Sequence, residues 1–467
     1  MGQSSLKFGT SGLRGLAIEL QGRAARRYAA AFLRHIGQST KASIQQVYLG
    51  RDFRPSSRDI VKDCAAAVVA AGLVPVDCGS LPTPALALHA KANGGAAIMV
   101  TGSHIPADRN GLKFYGPYGE ISKADEAGIL AALNEETIGD LDVDPVDQSE
   151  QAGARYFERF ASVLPTNALS GLRIGVFEHS SVARDILGNV LRHFGAETIS
   201  LGRSKGFVPV DTEAFGDAIF APIAGWVREY GLDAVVSADG DGDRPLLVDE
   251  TGQFIRGDVL GLLAARHLEA QSVVTPVTSN SAIEALGLFE HVHRTRVGSP
   301  FVVAAINGAS GSVIGFEANG GTFVGQGVVA NGRALEPLVT RDAVLPILCV
   351  LGESVRQRLS LSAIVASLPL KHALADRLQD VASERSRQFL GRLRDDVEAA
   401  RLFGPLGISR RAEIDGLQFW TEAGDMVHFR ASGNAPELRC YVEAGSPKAA
   451  RDLLAWGMQT AARETAG

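Results

Sequence analysis

Three aspartates stand at alternate positions in Asp239-Gly-Asp-Gly-Asp243, and the glycines between them let the backbone curl until the carboxylates face one point. Three converging oxygen ligands suit a hard divalent cation such as Mg2+. A solvated acidic turn is the plain alternative. A calcium EF-hand is a poor fit. Glu250 does fall at its twelfth position, but Arg244 and Pro245 occupy the sixth and seventh, where that loop needs a glycine and then a carbonyl ligand. Thr101-Gly-Ser-His-Ile-Pro106 is less specific by itself, since Ser103 at the end of an apolar run reads as a nucleophile, a phosphate contact or a turn former. Opposite a divalent cation, that serine is well placed to carry a phosphoryl group. Asn110-Gly-Leu-Lys113 brings a basic residue near the same place.

Two further loops carry anion-binding chemistry. Arg430-Ala-Ser-Gly-Asn-Ala-Pro-Glu-Leu-Arg439 offers two guanidinium groups, the Ser432 hydroxyl, the backbone at Gly433 and the Asn434 amide. That set suits a phosphate, and its alternative is an ordinary turn between strands. Phe8-Gly-Thr-Ser-Gly-Leu-Arg14 combines glycines, hydroxyls and a guanidinium in the same way, or makes a tight turn.

The elements that must position these loops follow from the apolar pattern. Val47–Leu49, Val74–Cys78 and Ala96–Val100 read as strands, with a helix between the first two carrying Ile60, Val61, Cys64, Ala65, Val68 and Val69 at helical spacing. Asp140–Glu150 reads as a linker. A second unit has strands at Leu172–Phe177, Ala234–Val236 and Leu246–Val248 and a helix at Val182–His193. A third has strands at Val273–Val277, His293–Val297 and Val313–Phe316, the last ending in Glu317-Ala-Asn-Gly-Gly321. Beyond Pro369 a long helix, Ala382–Phe403, precedes alternating segments at 412–414, 417–421, 426–429 and 438–442 and a closing helix, Pro447–Glu464. The expectation is three α/β domains with mixed, largely parallel sheets and a C-terminal α+β domain, bounded at 1–148, 149–250, 251–367 and 368–467 and arranged around a central cleft. In open parallel sheets the loops at the carboxyl ends of strands bind ligands, so these loops are expected to share a site.

Composition narrows the class. The chain has 467 residues, and 46 Lys and Arg against 52 Asp and Glu leave a formal charge of −6, which excludes a broadly basic nucleic-acid surface. The longest apolar stretch, Cys64–Val76, is broken by Gly72 and Pro75 and falls short of the ~18 residues of a membrane span. The first residues show no signal pattern, and Leu6 stands where a myristoylation site needs Ser or Thr. Cys64, Cys78, Cys349 and Cys440 are scattered and suggest neither a disulfide framework nor a zinc site. A cytoplasmic protein is expected, with no nucleic-acid or membrane partner, as a monomer or homodimer.

Taken in order, the loops resemble those of the α-D-phosphohexomutase superfamily, which includes phosphoglucomutase, phosphomannomutase and phosphoglucosamine mutase. Phe8–Arg14 is similar to the family's N-terminal signature and Gly50-Arg-Asp-Phe-Arg54, with Ser56 and Ser57, to its next element. The resemblance implies four domains around a cleft, phosphorylated Ser103, and Mg2+ held by Ser103, Asp239, Asp241 and Asp243 with Arg244 beside them. It further implies a sugar loop at Glu317 and Asn319 and a phosphate loop at Arg430–Arg439. Arg14, Arg244, His104 and Lys113 are the expected catalytic companions, the last two as proton-transfer groups, with Lys113 lowered in pKa to act as a base. Gly102 and Ile105 depart from the usual Ala-Ser-His-Asn-Pro. Asn319 and Gly321 replace the Ser and His of many sugar loops, and Val297-Gly298-Ser299 stands where another His is common. The variant loops are most similar to a bacterial phosphomannomutase branch that supplies sugar nucleotides. The expected reaction is interconversion of mannose 6-phosphate and mannose 1-phosphate, with a hexose 1,6-bisphosphate as intermediate and activator. The rival readings are a phosphoglucomutase or dual-specificity enzyme, a phosphatase-like hydrolase, and a non-catalytic sugar-phosphate-binding protein.

Overall fold

The computed structural model describes residues 4–9, 12–39, 44–134, 138–139, 141–433 and 436–466. Thr10 and Ser11 of the N-terminal motif, and Asn434, lie outside the described residues. The chain divides into two compact units, one of residues 1–274, 289–291 and 298–367, the other of 275–288, 292–297 and 368–467.

The first unit contains three sheets that repeat one device. In the first, Gln46–Arg51 lies parallel to both Val74–Ser80 and Ala96–Val100, and Arg109–Gly116 returns antiparallel to Ala96–Val100. In the second, Ala234–Ala238 is parallel to Arg173–Phe177 and antiparallel to Pro245–Asp249. In the third, Val313–Phe316 is parallel to Ser272–Pro276 and antiparallel to Thr322–Val324, which pairs with Leu338–Asp342. Each time a buried strand enters from the parallel core, makes a short Gly-containing loop and returns beside itself. The returning strand closes the loop through backbone hydrogen bonds, which a helical crossover does not do. Ala96–Val100, Ala234–Ala238 and Val313–Phe316 are buried at every position, as strands covered on both faces must be. Helices Arg23–Ser39 and Ser57–Ala70 bring Phe32, Leu33, Ile60 and Val61 into one core with Val47, Ile98 and Phe114. Each large apolar side chain so buried contributes about 1.5–3 kcal/mol, which holds the strand ends in place.

The second unit is α+β. Its sheet runs His372–Leu378, Leu438–Ala444, Met426–Ala431, Leu417–Trp420, Arg410–Ala412, antiparallel throughout. Phe389, Phe403, Phe419 and Phe429 fill the core beneath it.

Two strands lie two residues earlier than expected, Arg410–Ala412 for 412–414 and His291–Thr295 for His293–Val297, and two larger departures have local causes. The helix expected over Ala382–Phe403 is two helices, Ser383–Leu393 and Asp396–Phe403. Asp395 interrupts it by capping the second, its carboxylate accepting from the backbone N–H of Val397 and Glu398 at 3.0 Å. The expected linker carries an edge strand, Val146–Asp147, parallel to Val74–Ser80, and the start of helix Ser149–Phe160. Among the described residues no helix is long and apolar enough to cross a membrane.

Candidate metal and phosphoryl-transfer site

The aspartate loop is closed by its own backbone. Asp239 N–H donates to the Arg244 carbonyl at 3.0 Å and Gly242 N–H to the Asp239 carbonyl at 3.2 Å. Asp239 Oδ1 accepts from the N–H of Asp243 and Arg244 at 3.1 and 3.2 Å. The two glycines do different work. Gly242 has φ +71°, a left-handed conformation that disfavours a side chain, whereas Gly240 is needed for closeness. A Cβ at Gly240 would stand 2.8 Å from the Ser103 carbonyl oxygen, so the aspartate and serine loops touch through a residue with no side chain.

Asp239, Asp241 and Asp243 are buried and offer ligand oxygens within 4.8 Å of one another. Asp241 Oδ1 and Asp243 Oδ1 are buried without a hydrogen-bond partner. Buried carboxylate oxygens without donors are costly, and an all-oxygen acidic set is the donor chemistry a hard cation takes. The residues therefore fit a divalent metal such as Mg2+.

Ser103 is fully buried, with φ +51°, an uncommon conformation for a residue with a side chain. Its Oγ donates to Asp239 Oδ2 at 2.6 Å and lies 3.2 Å from His104 Nδ1. The loop that holds it there is built around an ion pair, Arg54 and Asp52, whose side chains are wholly buried. Arg54 donates to the carbonyls of Ser103 (3.0 Å), Ile105 (2.6 Å), Pro106 (2.6 Å) and Arg109 (3.0 Å). Asp52 accepts from Thr101 Oγ1 at 2.8 Å and Gly102 N–H at 3.2 Å. Gly102 permits this, because a Cβ there would meet Arg54 Cζ at 2.6 Å. The motif at 50–54 thus shapes the serine loop from below.

Lys113 reaches the triad from the return strand Arg109–Gly116, its Nζ 2.6 Å from both Asp241 Oδ2 and Asp243 Oδ2. Burial opposes its charge, but the two carboxylates outweigh burial and raise its pKa, contrary to the lowered value expected from sequence. Protonated Lys113 is a proton donor. Burial, and then the neighbouring carboxylates of Asp241 and Asp243, push Asp239 well above the ordinary carboxylate range. Burial also disfavours the Asp243 anion, yet Arg341, Lys113 and Arg244 overcome it and hold its pKa down. Burial, with Arg244 and Arg14 nearby, depresses His104 to about 2, so its imidazole is neutral at neutral pH. Arg14 is pushed down to about 10 by burial and by Arg244. Arg14 Nη2 and Arg244 Nε are buried without hydrogen-bond partners, donors left for an anion.

The loop at 317–321 contributes Glu317, whose Oε2 accepts from Ser299 Oγ at 3.3 Å, Asn319 Nδ2 at 3.4 Å and Arg341 Nη1 at 2.8 Å. Arg341 also donates from Nη2 to Asp243 Oδ2 at 2.6 Å. The sequence reading missed this arginine. Its one signal is an Arg-Asp pair at the end of the short strand Leu338–Asp342, directly before the buried helix Val344–Gln357.

The C-terminal loop belongs to the second unit. Arg430 and Arg439 are direct partners on neighbouring strands and so share a face of the sheet, with Arg377 beside Arg439 on the next strand. Asp415 accepts from Arg430 Nε at 2.6 Å, and Glu437 accepts from Arg439 Nη2 at 3.2 Å and Arg377 Nη1 at 3.1 Å. Three guanidinium groups against two carboxylates leave this row net positive. Ser432 N–H donates to the Glu437 carbonyl at 2.9 Å, closing the loop that carries Gly433.

Comparison with known proteins gives the family. Sequence profiles for the α/β/α domains I, II and III of phosphoglucomutase/phosphomannomutase match residues 5–139, 154–252 and 256–372. A phosphomannomutase of Sinorhizobium fredii is 49% identical over 97% of this chain and 98% of its own length. One from Salmonella muenchen is 41% identical over 97% and 95%. The crystal structure of a phosphoglucomutase/phosphomannomutase family protein from Burkholderia thailandensis superposes with a TM-score of 0.75 over 98% of each chain at 22% identity, which speaks to the fold. The chain therefore belongs to the phosphoglucomutase/phosphomannomutase family of the α-D-phosphohexomutases, enzymes of the mutase type.

Proposed function

We propose that this enzyme interconverts mannose 6-phosphate and mannose 1-phosphate by phosphoryl exchange with Ser103, through a hexose 1,6-bisphosphate that also serves as activator. The observation that carries the reading is the Ser103 hydroxyl, 2.6 Å from Asp239 inside a buried triad of carboxylates. In the resting enzyme Ser103 bears the phosphoryl group. A free sugar hydroxyl attacks the phosphorus, a new P–O bond forms, and the bond to Ser103 Oγ breaks. Protonated Lys113 donates toward the departing Ser103 oxygen and is recharged by the proton of the attacking hydroxyl, with His104 Nδ1, 3.2 Å from the Ser103 oxygen, as the candidate relay. Arg14 and Arg244 neutralise the phosphoryl oxygens with guanidinium donors that are free to do so. Ser103, Asp239, Asp241 and Asp243 would hold Mg2+, which would supply Lewis-acid stabilisation of the transferring group. Glu317 and Asn319 receive the sugar hydroxyls. Arg430, Ser432, Gly433, Asn434 and Arg439 hold the phosphate that is not reacting. After the bisphosphate reverses its orientation, its other phosphate returns to Ser103. Burial of Ser103 protects the phosphoserine from water.

The chain is read as four domains, at 1–148, 149–250, 251–367 and 368–467, in a cytoplasmic monomer or homodimer that acts on small hexose phosphates. A dual preference for mannose and glucose phosphates is the second reading, because the matching profiles cover both activities and the two sugars differ only at C2. The test is a coupled assay with mannose 1-phosphate and glucose 1-phosphate, each with the bisphosphate present. The reading expects faster turnover of the mannose substrate, a single phosphate mapped to Ser103 by mass spectrometry, and loss of turnover in Ser103→Ala. Equal rates with both sugars would favour the dual enzyme. Release of inorganic phosphate instead of the isomer would make it a hydrolase.

A further inference from the structure

Arg341 joins two carboxylates that have different tasks. Its side chain is 5% exposed and comes from strand Leu338–Asp342, outside every loop described above. Nη2 donates to Asp243 Oδ2 at 2.6 Å, and Nη1 donates to Glu317 Oε2 at 2.8 Å and to Ser299 Oγ. Asp243 is one of the three metal-loop aspartates, and Glu317 belongs to the loop read as contacting the sugar. One planar guanidinium therefore spans both loops, which a single-point ammonium does not do.

The surroundings are shaped to admit it. A Cβ at Gly321 would lie 2.5 Å from Arg341 Cδ and 2.7 Å from Cγ, so a side chain at 321 and Arg341 in this pose exclude each other. Ser299 is small enough to leave the Nη1 position open and accepts a hydrogen bond from it.

We infer that Arg341 is the positioning residue that aims Glu317 at the sugar and sets the separation of the sugar loop from the metal loop. The inference rests on the phosphohexomutase reading of the site. Arg341 competes with the metal for the electron density of Asp243, while its hold on Glu317 serves the sugar. Its removal therefore acts in opposite directions on the two ligands.

The test uses the full-length enzyme with Arg341→Lys, Glu317→Gln and the double variant. The measurements are Mg2+ affinity by calorimetry with Mg2+ alone, kcat and KM for mannose 1-phosphate, and the melting temperature. Arg341→Lys keeps the charge but cannot bridge both loops. It is expected to raise KM by about tenfold or more, the worth of one charge-assisted hydrogen bond, while Mg2+ binds at least as tightly as to wild type. Glu317→Gln in the Arg341→Lys background is expected to cost much less than in wild type, since Glu317 is already unaimed there. An unchanged KM in Arg341→Lys overturns the inference, as does full additivity of the two substitutions. Mg2+ affinity, KM and melting temperature all worsening together would assign Arg341 to the framework and also overturn it. A wild-type enzyme that turns over no hexose phosphate would instead sink the proposed function itself, so the two failures are told apart.

Discussion

Gly240→Ala tests whether the contact between the aspartate and serine loops sets the rate. The added Cβ would stand 2.8 Å from the Ser103 carbonyl oxygen, where ordinary van der Waals contact begins at 3.4 Å. The loops must separate by the difference, about 0.6 Å, since the neighbour is backbone and cannot swing aside. Ser103 is anchored by Arg54 at that same carbonyl and Asp239 is anchored by two backbone N–H groups, so the shift falls on the 2.6 Å contact between Ser103 Oγ and Asp239 Oδ2. Misplacement approaching 1 Å between reacting groups costs on the order of 100-fold in rate, so a loss of roughly 10- to 100-fold in kcat is expected. Overpacking of this kind destabilises by about 1–3 kcal/mol, so the variant remains folded. Gly225→Ala is the control. It lies within helix Ile223–Tyr230 with nothing within 4 Å of the added Cβ, and it is expected to keep full activity and melt no earlier. The assay is kcat by coupled turnover beside urea denaturation. Wild-type kcat in Gly240→Ala would refute the argument that loop separation governs phosphoryl transfer.

Three more predictions follow from the same geometry. Arg54→Met strips four carbonyls of their donor and leaves the buried Asp52 carboxylate without its cation, so unfolding free energy should fall by about 3–5 kcal/mol; a change under ~1 kcal/mol by urea titration would refute the supporting role. Asp241→Asn should remove one ligand of the cation and a partner of Lys113 and Thr83, so calorimetric Mg2+ binding should weaken by at least about tenfold; undiminished affinity would remove Asp241 from the metal site. Burial holds His428 down to about 4, against about 6.5 in an unfolded chain. Between those values the unfolded state binds the extra proton, so stability must fall as pH drops from ~6.5 to ~4, by at most about 3 kcal/mol from this group. His428→Gln should flatten that slope, and urea midpoints with the same pH dependence as wild type would contradict it.

Much of the chemistry was legible in the chain because it is local. Asp239, Asp241 and Asp243 carry their ligand pattern within five residues, and Gly242 is where the turn needs a left-handed residue. The strand entering each loop could be read from continuous apolar runs, which both-face burial demands. Two of the three return strands could not, whereas the one after the aspartate loop was read at Leu246–Val248. The return strands Arg109–Gly116 and Thr322–Val324 are short or mixed in polarity, and only pairing with their neighbours makes them strands. The helix break at Asp395 depends on one capping carboxylate that an amphipathic pattern absorbs without a signal.

What the sequence determined by itself was the set of groups, an acidic turn with the donor chemistry for a hard cation, a serine at a strand end and an arginine pair around a small loop. What only the tertiary structure decided was their partners and charge states. Lys113 was expected to have a lowered pKa and has a raised one, because Asp241 and Asp243 lie 128 and 130 residues further along the chain and 2.6 Å away in space. Arg341 joins Asp243 to Glu317 across separations of 98 and 24 residues, a link with no trace in local spacing. Electrostatic interaction depends on distance in space and on the dielectric around it, and burial strengthens both attraction and desolvation. Residue type and spacing along a chain give neither quantity until the strands have brought their ends together.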